Sequence, residues 1–245
     1  MPWIQALGFF AVLLAGEPQL PPAARANLCA TCHLQLVWTR SALTHTDEWV
    51  TSSHALHGVG CEQCHGGDAT TSDRTAAHRG VTRASDPSSP VSRGQLPATC
   101  GGCHATETNA FERSTHNELL QTGDAWAPTC TTCHSSMAAD VLSPTDLERS
   151  CAHCHVSDRV DRAQRARRQM VAIADVRRVL WRVRFEIAGV QDGVRRDALT
   201  GQARDANIAV QGVVAAMHAF DQPLVDRRLD DARLLMNTLE NALRR

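Results

Sequence analysis

Five copies of one short pattern, Cys-x-x-Cys-His, contain every cysteine of this 245-residue chain. In each copy, two cysteines lie three residues apart and a histidine directly follows the second one. This spacing is the attachment signature of c-type haem, because two such cysteines can form thioethers with the haem vinyl groups while the histidine binds the iron as proximal ligand. The copies span residues 29–33, 61–65, 100–104, 130–134 and 151–155.

These motifs predict five covalently bound haem c groups. Zinc sites are a poorer explanation because they pair two CxxC units without requiring a histidine after each, and a disulfide framework would not repeat one spacing five times. The predicted covalent attachment residues are Cys29, Cys32, Cys61, Cys64, Cys100, Cys103, Cys130, Cys133, Cys151 and Cys154. The predicted proximal iron ligands are His33, His65, His104, His134 and His155.

The five motifs are crowded into residues 29–155, which leaves about 25 residues for each haem. So short a segment cannot enclose each porphyrin in a protein core of its own. Aromatic side chains cannot fill that core either, since the chain has only five Trp, five Phe and no Tyr. We therefore expect the haems to pack against one another, close enough for electrons to hop between neighbours.

The second axial ligand of each iron sets its potential and reactivity. Seven histidines remain after the five proximal ones are subtracted from the twelve, which is enough for complete bis-histidine ligation. Among them, His45 and His153 are the weakest candidates. Met137 is a further candidate through its thioether, with packing as the favoured alternative. The predicted distal ligands are His54, His78, His116 and His218, followed by His57 and Met137.

Two segments repeat an aromatic residue, a serine and a histidine ahead of a CxxCH motif. In the first segment, Trp49 and His54 precede the second motif. In the other, Phe111 and His116 precede the fourth motif. The repeat indicates an internal duplication in which His54 and His116 are equivalent distal ligands. His218 is the only histidine after residue 155, and we expect the C-terminal tail to deliver it to a haem.

The composition changes after residue 156. Residues 1–156 carry 8 arginines and 14 acidic residues, whereas residues 157–245 carry 17 and 12 and contain no cysteine. Apolar stripes with alternating steps of three and four residues predict three amphipathic helices that pack antiparallel, with Asp221 as N-cap of the third. The stripes are Ile173, Val176, Leu180, Val183, Ile187 and Val190; Ala203, Ala206, Val210, Val213, Met217 and Phe220; and Val225, Leu229, Ala232, Met236, Leu239 and Leu243.

The segment Ile4–Ala15 is almost entirely apolar. It is short for a membrane span and fits the hydrophobic region of a secretory signal peptide, with a buried segment or an uncleaved membrane anchor as alternatives. The predicted organisation is a signal peptide at residues 1–16, a pentahaem cytochrome domain at 27–156 and a helical tail at 157–245. The predicted fold is mostly α with extensive coil, a haem-packed N-terminal region with little regular structure and a C-terminal antiparallel helical bundle.

In these motifs the chain resembles the c554-like multihaem c-type cytochromes, a family with doubled CxxCH motifs. The resemblance covers about residues 27–245 and rests on W-x-x-S-x-H before GVGCEQCHGG, on AAHRG with the later CGGCH, on FERSTHNELL with APTCTTCH, and on MHAFD. It implies that His54, His116 and His218 are distal ligands. The chain departs from the family at Met137, where relatives often have a histidine.

These features predict an exported, periplasmic electron-transfer protein of a respiratory chain, with mostly bis-histidine, low-spin haems and no enzymatic activity. The expected partners are a redox protein donor and acceptor, with a membrane quinol-oxidising cytochrome as a candidate donor. The net charge of −1 argues against nucleic-acid binding, and membrane association would need an uncleaved N-terminal anchor.

Two other functions stay open. One is a multihaem reductase or oxidase of nitrogen or sulfur compounds, which needs one open iron. The chain lacks the lysine that the pentahaem nitrite reductases use at their catalytic haem, and the tyrosine that the hydroxylamine-oxidising enzymes cross-link to theirs. The other is a structural subunit of a haem wire.

Haem stoichiometry tests the motif analysis directly. Because five complete motifs use all ten cysteines, the matured protein should contain five covalent haems and no free thiol. A pyridine haemochrome assay combined with the intact mass gives the count. Four or fewer haems in fully matured protein would contradict the prediction.

Overall fold

The computed structural model describes residues 25–36, 40–156 and 160–245. Within these ranges the chain forms thirteen helices joined by turns and coil, and no residue lies in a β-strand. The predicted mostly α fold with a C-terminal helical bundle is therefore confirmed. The predicted signal peptide at residues 1–16 lies outside the described residues.

Ten short helices precede the tail. This region therefore has more regular structure than the sequence predicts. The longest of them have 11 residues and the shortest only 4. They are α1 (Leu28–Gln35), α2 (Arg40–Val50), α3 (Ser53–Leu56), α4 (Glu62–His65), α5 (Arg74–Ala77), α6 (Leu96–Gly101), α7 (Ala105–Phe111), α8 (Thr115–Gln121), α9 (Cys130–His134) and α10 (Pro144–Cys154).

Side-chain caps explain why many of these short helices begin where they do. Asn27, Ser52, Asp73, Ser114 and Ser143 each precede a helix and accept a hydrogen bond from a backbone N–H of its first turn. Such a cap is worth about 1 kcal/mol because it satisfies a donor that has no partner within the helix. Short polar residues therefore divide the haem-attachment region into separate turns of helix.

The apolar core of the N-terminal region is small. One cluster consists of Ala30, Trp49 and Ala55, and the Trp49 indole N–H donates to the Val59 carbonyl at 3.0 Å. The other cluster consists of Phe111, Leu120 and Ala127. The two clusters together bury six residues, whereas the tail core buries sixteen. Side-chain packing alone is therefore a weak source of stability in the region that carries the CxxCH motifs.

The tail consists of three long helices, α11 (Val160–Ala188), α12 (Gly193–His218) and α13 (Gln222–Arg244). Their facing sides form one hydrophobic core, and most of the predicted stripe residues are buried in it. Asp221 caps α13 as predicted, with its side chain accepting from the Leu224 N–H at 2.9 Å. The stripe ends differ from the prediction, because Phe220 lies in the turn after α12 and is 41% exposed.

Polar contacts join the N-terminal part of α11 to the beginning of α13. The Gln169 amide on α11 donates to the Gln222 carbonyl at 2.8 Å and to the Asp226 carboxylate at 2.7 Å. Arg165 pairs with the same Asp226. Gln222 in turn donates to the Arg162 carbonyl at 2.7 Å. These bonds fix the beginning of α13 against α11, beside His218 at the end of α12 and the turn that contains Phe220.

A close backbone approach at Gly67 positions His78. The φ of Gly67 is +88°, and a Cβ there would lie 2.4 Å from the Ala77 carbonyl oxygen and 2.8 Å from Val81. The next amide, from Asp68, donates to the same Ala77 oxygen at 3.0 Å. Because His78 directly follows Ala77, this contact determines where the His78 imidazole lies.

Alanine substitutions at two glycines test this contact. Gly67→Ala should lower the free energy of unfolding by about 1–3 kcal/mol more than Gly80→Ala, because only the first introduces a clash. Gly80 is a matched control, since its φ of +83° is nearly the same and a Cβ there meets nothing within 4 Å. Thermal unfolding of the haem-loaded variants measures the difference, and equal midpoints would show that the approach at Gly67 is unimportant.

Candidate haem-binding sites

Four pairs of histidine rings face each other at nearly the same distance. Each pair joins one histidine of a CxxCH motif to one histidine outside the motifs. The ring centres are separated by 6.1 Å for His33 and His78, 6.0 Å for His104 and His54, 6.0 Å for His134 and His218, and 6.0 Å for His155 and His116.

This separation fits an iron between the two rings. A metal held by two opposite imidazole nitrogens at about 2 Å each requires the ring centres to be about 6 Å apart. The recurrence of one distance in four pairs, each with one motif histidine, matches the axial ligand geometry of a bis-histidine haem.

The remaining motif histidine is His65, of the second motif. Its neighbour is His45. Burial lowers the pKa of His65, and the charges of His45 and then of His33 lower it further. His45 lies on α2, four residues before the buried Trp49. His45 is, with His153, one of the two weakest candidates in the sequence, and the structure brings it near the motif that the other pairs leave without a partner.

Hydrogen bonds orient several of the rings. The Nδ1 of His78 lies 2.8 Å from the Arg74 carbonyl oxygen, and the Nδ1 of His218 lies 2.8 Å from that of Val214. The Nδ1 of His134 lies 2.7 Å from the Asp140 carbonyl oxygen. Because a carbonyl can only accept, each Nδ1 carries the proton and leaves Nε2 free to bind a metal.

Four of the paired rings have a lowered pKa. Burial is the largest cause of a lowered pKa at His33, His54 and His116, and the facing histidine lowers each pKa further. At His218 burial lowers the pKa despite the Val214 carbonyl, which raises it. A histidine pKa below the ordinary value favours the neutral imidazole at pH 7, which is the form that binds metals.

The two repeated segments have the same local structure. Ser52 and Ser114 are the N-caps of α3 and α8, and His54 and His116 are the second residues of these helices. Each histidine also reaches past the next CxxCH motif to the one after it. His54 precedes the second motif and faces the third, and His116 precedes the fourth and faces the fifth.

Three residues singled out in the sequence lie elsewhere. The exposed His57 has its Nδ1 2.8 Å from the Ser53 carbonyl oxygen, and within the described residues no other ring contacts it. His153 is exposed as well. Met137 packs against the cluster around Trp49. His57 and Met137 thus occupy the surface and the apolar core, where neither faces a motif histidine.

The cysteines show that consecutive motifs are neighbours in space. Burial, reinforced by Cys29 of the first motif, raises the pKa of Cys61 in the second to about 12. The pKa of Cys64 is also raised, first by burial and then by Cys100 and Cys103 of the third motif.

The later motifs continue the series. A hydrogen bond between the side chains of Cys100 and Cys130 joins the third motif to the fourth, and it lowers the pKa of Cys130. Burial, with Cys151 and Cys154 of the fifth motif, raises the pKa of Cys133 to about 11. The five motifs therefore follow one another in space in the order that they have in the chain.

His45, one of the two weakest candidates in the sequence, is the histidine that lies electrostatically close to His65. A helical spacing of four residues puts His45 on the same side of α2 as Trp49, the first residue of the repeated segment. Since Trp49 is buried, His45 lies on the inward side of α2, with its own side chain exposed. The pattern was readable in the sequence, although it required knowing that residues 40–50 form a helix.

Comparisons with known proteins find similarity to c-type cytochromes. A sequence model of the family described as cytochrome c554 and c-prime matches residues 16–66. The chain is also similar to the C-type polyheme cytochrome OmcC of Geobacter sulfurreducens, at 29% identity over 117 residues. That match covers 45% of this chain and only 14% of the length of the relative. No solved structure matches the chain.

Within the part of the chain that the structure describes, no helix is both long enough and apolar enough to cross a membrane.

Alanine substitutions distinguish His45 from His57. In the haem-loaded protein, His45→Ala should convert one low-spin haem to high-spin and open one iron to carbon monoxide, because His65 would lose the neighbouring histidine that could bind opposite it. His57→Ala is the matched control and should leave the spectrum unchanged. Optical and electron paramagnetic resonance spectra provide the measurement, and new carbon monoxide binding in the His57 variant alone would reverse the assignment.

Proposed function

We propose that the chain is a c554-like multihaem c-type cytochrome and an electron carrier in which every iron is held between two histidines. The observation that carries this proposal is the set of facing imidazole rings at 6.0–6.1 Å. When bound, the haems supply five one-electron centres. The chain holds them covalently through its ten motif cysteines and orients them through the axial histidines.

The proposed ligand pairs join five proximal histidines to five distal ones. Four pairs rest on the ring distances, and the fifth rests on the electrostatic proximity of His45 to His65. The pairs are His33 with His78, His65 with His45, His104 with His54, His134 with His218, and His155 with His116.

Two axial histidines on an iron leave no position for a substrate and favour a low potential. Because each proximal histidine has such a partner, the arrangement favours electron transfer over a multihaem reductase or oxidase with an open iron. The neighbouring cysteines of successive motifs further support one continuous path, from the first motif to the fifth.

We further propose that the protein is exported to the periplasm and works in a respiratory chain. The motif count and the apolar segment Ile4–Ala15 support export, since c-type haem is attached outside the cytoplasm. The partners would be a redox protein donor and a redox protein acceptor, and a membrane quinol-oxidising cytochrome fits the role of donor. Residues 27–156 would carry the haems and residues 157–245 would form the tail.

Carbon monoxide binding tests the proposed ligation. The reduced wild-type protein should bind no carbon monoxide, because both axial positions of every iron are occupied. His218→Ala should open one iron per chain and loosen the tail, since the His134–His218 pair joins α9 to the end of α12. His153→Ala removes an exposed histidine that faces no proximal ring and is the control.

The same titration decides between the functions. Stoichiometric carbon monoxide binding by the wild-type protein would show an open iron and support the reductase or oxidase instead. An unchanged spectrum in the His218 variant would show that this histidine is not a ligand.

A further inference from the structure

The two equivalent histidines of the repeated segments differ in one respect. His54 and His116 have the same helix position and each faces a motif histidine at 6.0 Å. A second ring, that of Phe220, contacts His116 at a centre-to-centre distance of 4.2 Å. Within the described residues, the only ring in contact with His54 is that of His104. Among the described rings, a ring of the tail therefore contacts the histidine of one copy of the repeat, and none contacts that of the other.

Phe220 reaches His116 through an unusual backbone conformation. Its φ is +56°, in the left-handed region that a bulky side chain normally avoids, at a cost on the order of 1 kcal/mol. Glycine would end α12 here without that cost. The ring meets His116 edge-on at an interplanar angle of 73°, and Phe111 meets the other side of Phe220 at 6.4 Å. The strained turn thus holds an aromatic ring against a histidine.

His116 also lacks the hydrogen bond that orients other paired rings. Its Nδ1 is buried, and within the described part of the chain it has no hydrogen-bond partner. In contrast, the Nδ1 atoms of His78 and His218 each lie 2.8 Å from a backbone carbonyl oxygen. Packing against Phe220 therefore replaces a hydrogen bond as the contact that fixes the His116 ring.

We propose that Phe220 is a positioning residue that shields His116 from water and gives the iron of the fifth motif the highest potential of the five. This proposal rests on the proposed bis-histidine ligation. Phe220 acts through His116 and touches neither the iron nor a substrate.

The sign of the effect follows from ligand basicity. An Nδ1–H that donates to a carbonyl makes the imidazole more basic, which stabilises ferric iron more than ferrous iron and lowers the potential. Within the described residues His116 and its equivalent His54 both lack that bond, so both irons lose this stabilisation, and the Phe220 contact is what sets the fifth motif apart. The apolar Phe220 ring also lowers the local polarity, which disfavours the more highly charged ferric state. Both effects raise the potential at the His116–His155 site.

A high potential at the fifth motif would give the electron path a direction. The motifs follow one another in space from the first to the fifth, so an electron added by a donor protein would come to rest at the end of the series. Reduction there converts one ferric iron to ferrous and oxidises the donor by one electron. The fifth motif lies beside the junction of α12 and α13, so the acceptor would take electrons near the tail.

Phe220→Leu tests the proposal in the fully haem-loaded protein. Leucine keeps the apolar character and the same backbone strain but removes the ring, so water should reach His116 Nδ1. In a spectroscopic redox titration, the midpoint potential of one of the five components should fall by at least about 59 mV. For one electron, this equals a tenfold change in the ratio of oxidised to reduced haem. The other four components should not move.

Phe185→Leu is the matched control, because Phe185 is 75% exposed on α11 and is stacked only on Trp181 among the described rings. It should leave all five components in place. The proposal is overturned if the Phe220 variant retains five haems and all five potentials.

A second measurement covers the case in which the Phe220 variant loses haem. The ferric low-spin resonance that disappears in His116→Ala identifies the signal of this site. In the wild-type protein, that resonance should be the first to vanish as the potential is lowered, because its iron is reduced first. A different resonance vanishing first would overturn the proposal. Carbon monoxide binding by the wild-type protein at this iron would instead contradict the bis-histidine ligation itself, so the two failures are distinguishable.

Discussion

Two imidazole rings facing each other across about 6 Å are the contact on which the N-terminal part of this protein depends. The two apolar clusters in that region are small, and its helices are too short to be stable alone in water. The histidine pairs join segments that are far apart in the chain, from residue 33 to 78, from 54 to 104 and from 116 to 155. An iron in each pair would close these loops as cross-links, in addition to the two thioethers on each motif.

The tail is built on a different principle. Its three long helices bury a continuous core of Val, Leu, Ile, Met and Ala, and this core requires no cofactor. Among the described rings, those of the tail that contact haem-region histidines lie at the end of α12 and in the turn after it. His218 faces His134, and Phe220 contacts His116. The tail thus gives a rigid support to the fourth and fifth motifs, while the first three are held by ligands from their own region.

The duplicated segments show how one local structure can give two different environments. The serine caps at residues 52 and 114 present His54 and His116 in the same way, and each histidine reaches the second motif after it. The surroundings differ because, among the described rings, a ring of the tail packs against the later histidine and none packs against the earlier one. A chain that repeats a haem-binding unit can therefore vary the properties of single irons by what it packs against the distal ring.

The sequence by itself determined the chemistry that is local in the chain. The CxxCH spacing defines the haem-attachment motifs, the apolar stripes define the tail helices, and residues such as Asp221 define where helices begin, because each depends on neighbours within a few positions. His54, His78, His116 and His218 could be named as candidates for the same reason. The tertiary structure alone decided which histidine faces which motif, brought His45 to His65, and left His57 at the surface and Met137 in an apolar cluster. Facing across an iron depends on how distant segments are folded over one another, and His57 has the same Nδ1-to-carbonyl contact as His78, so local pattern cannot distinguish the two.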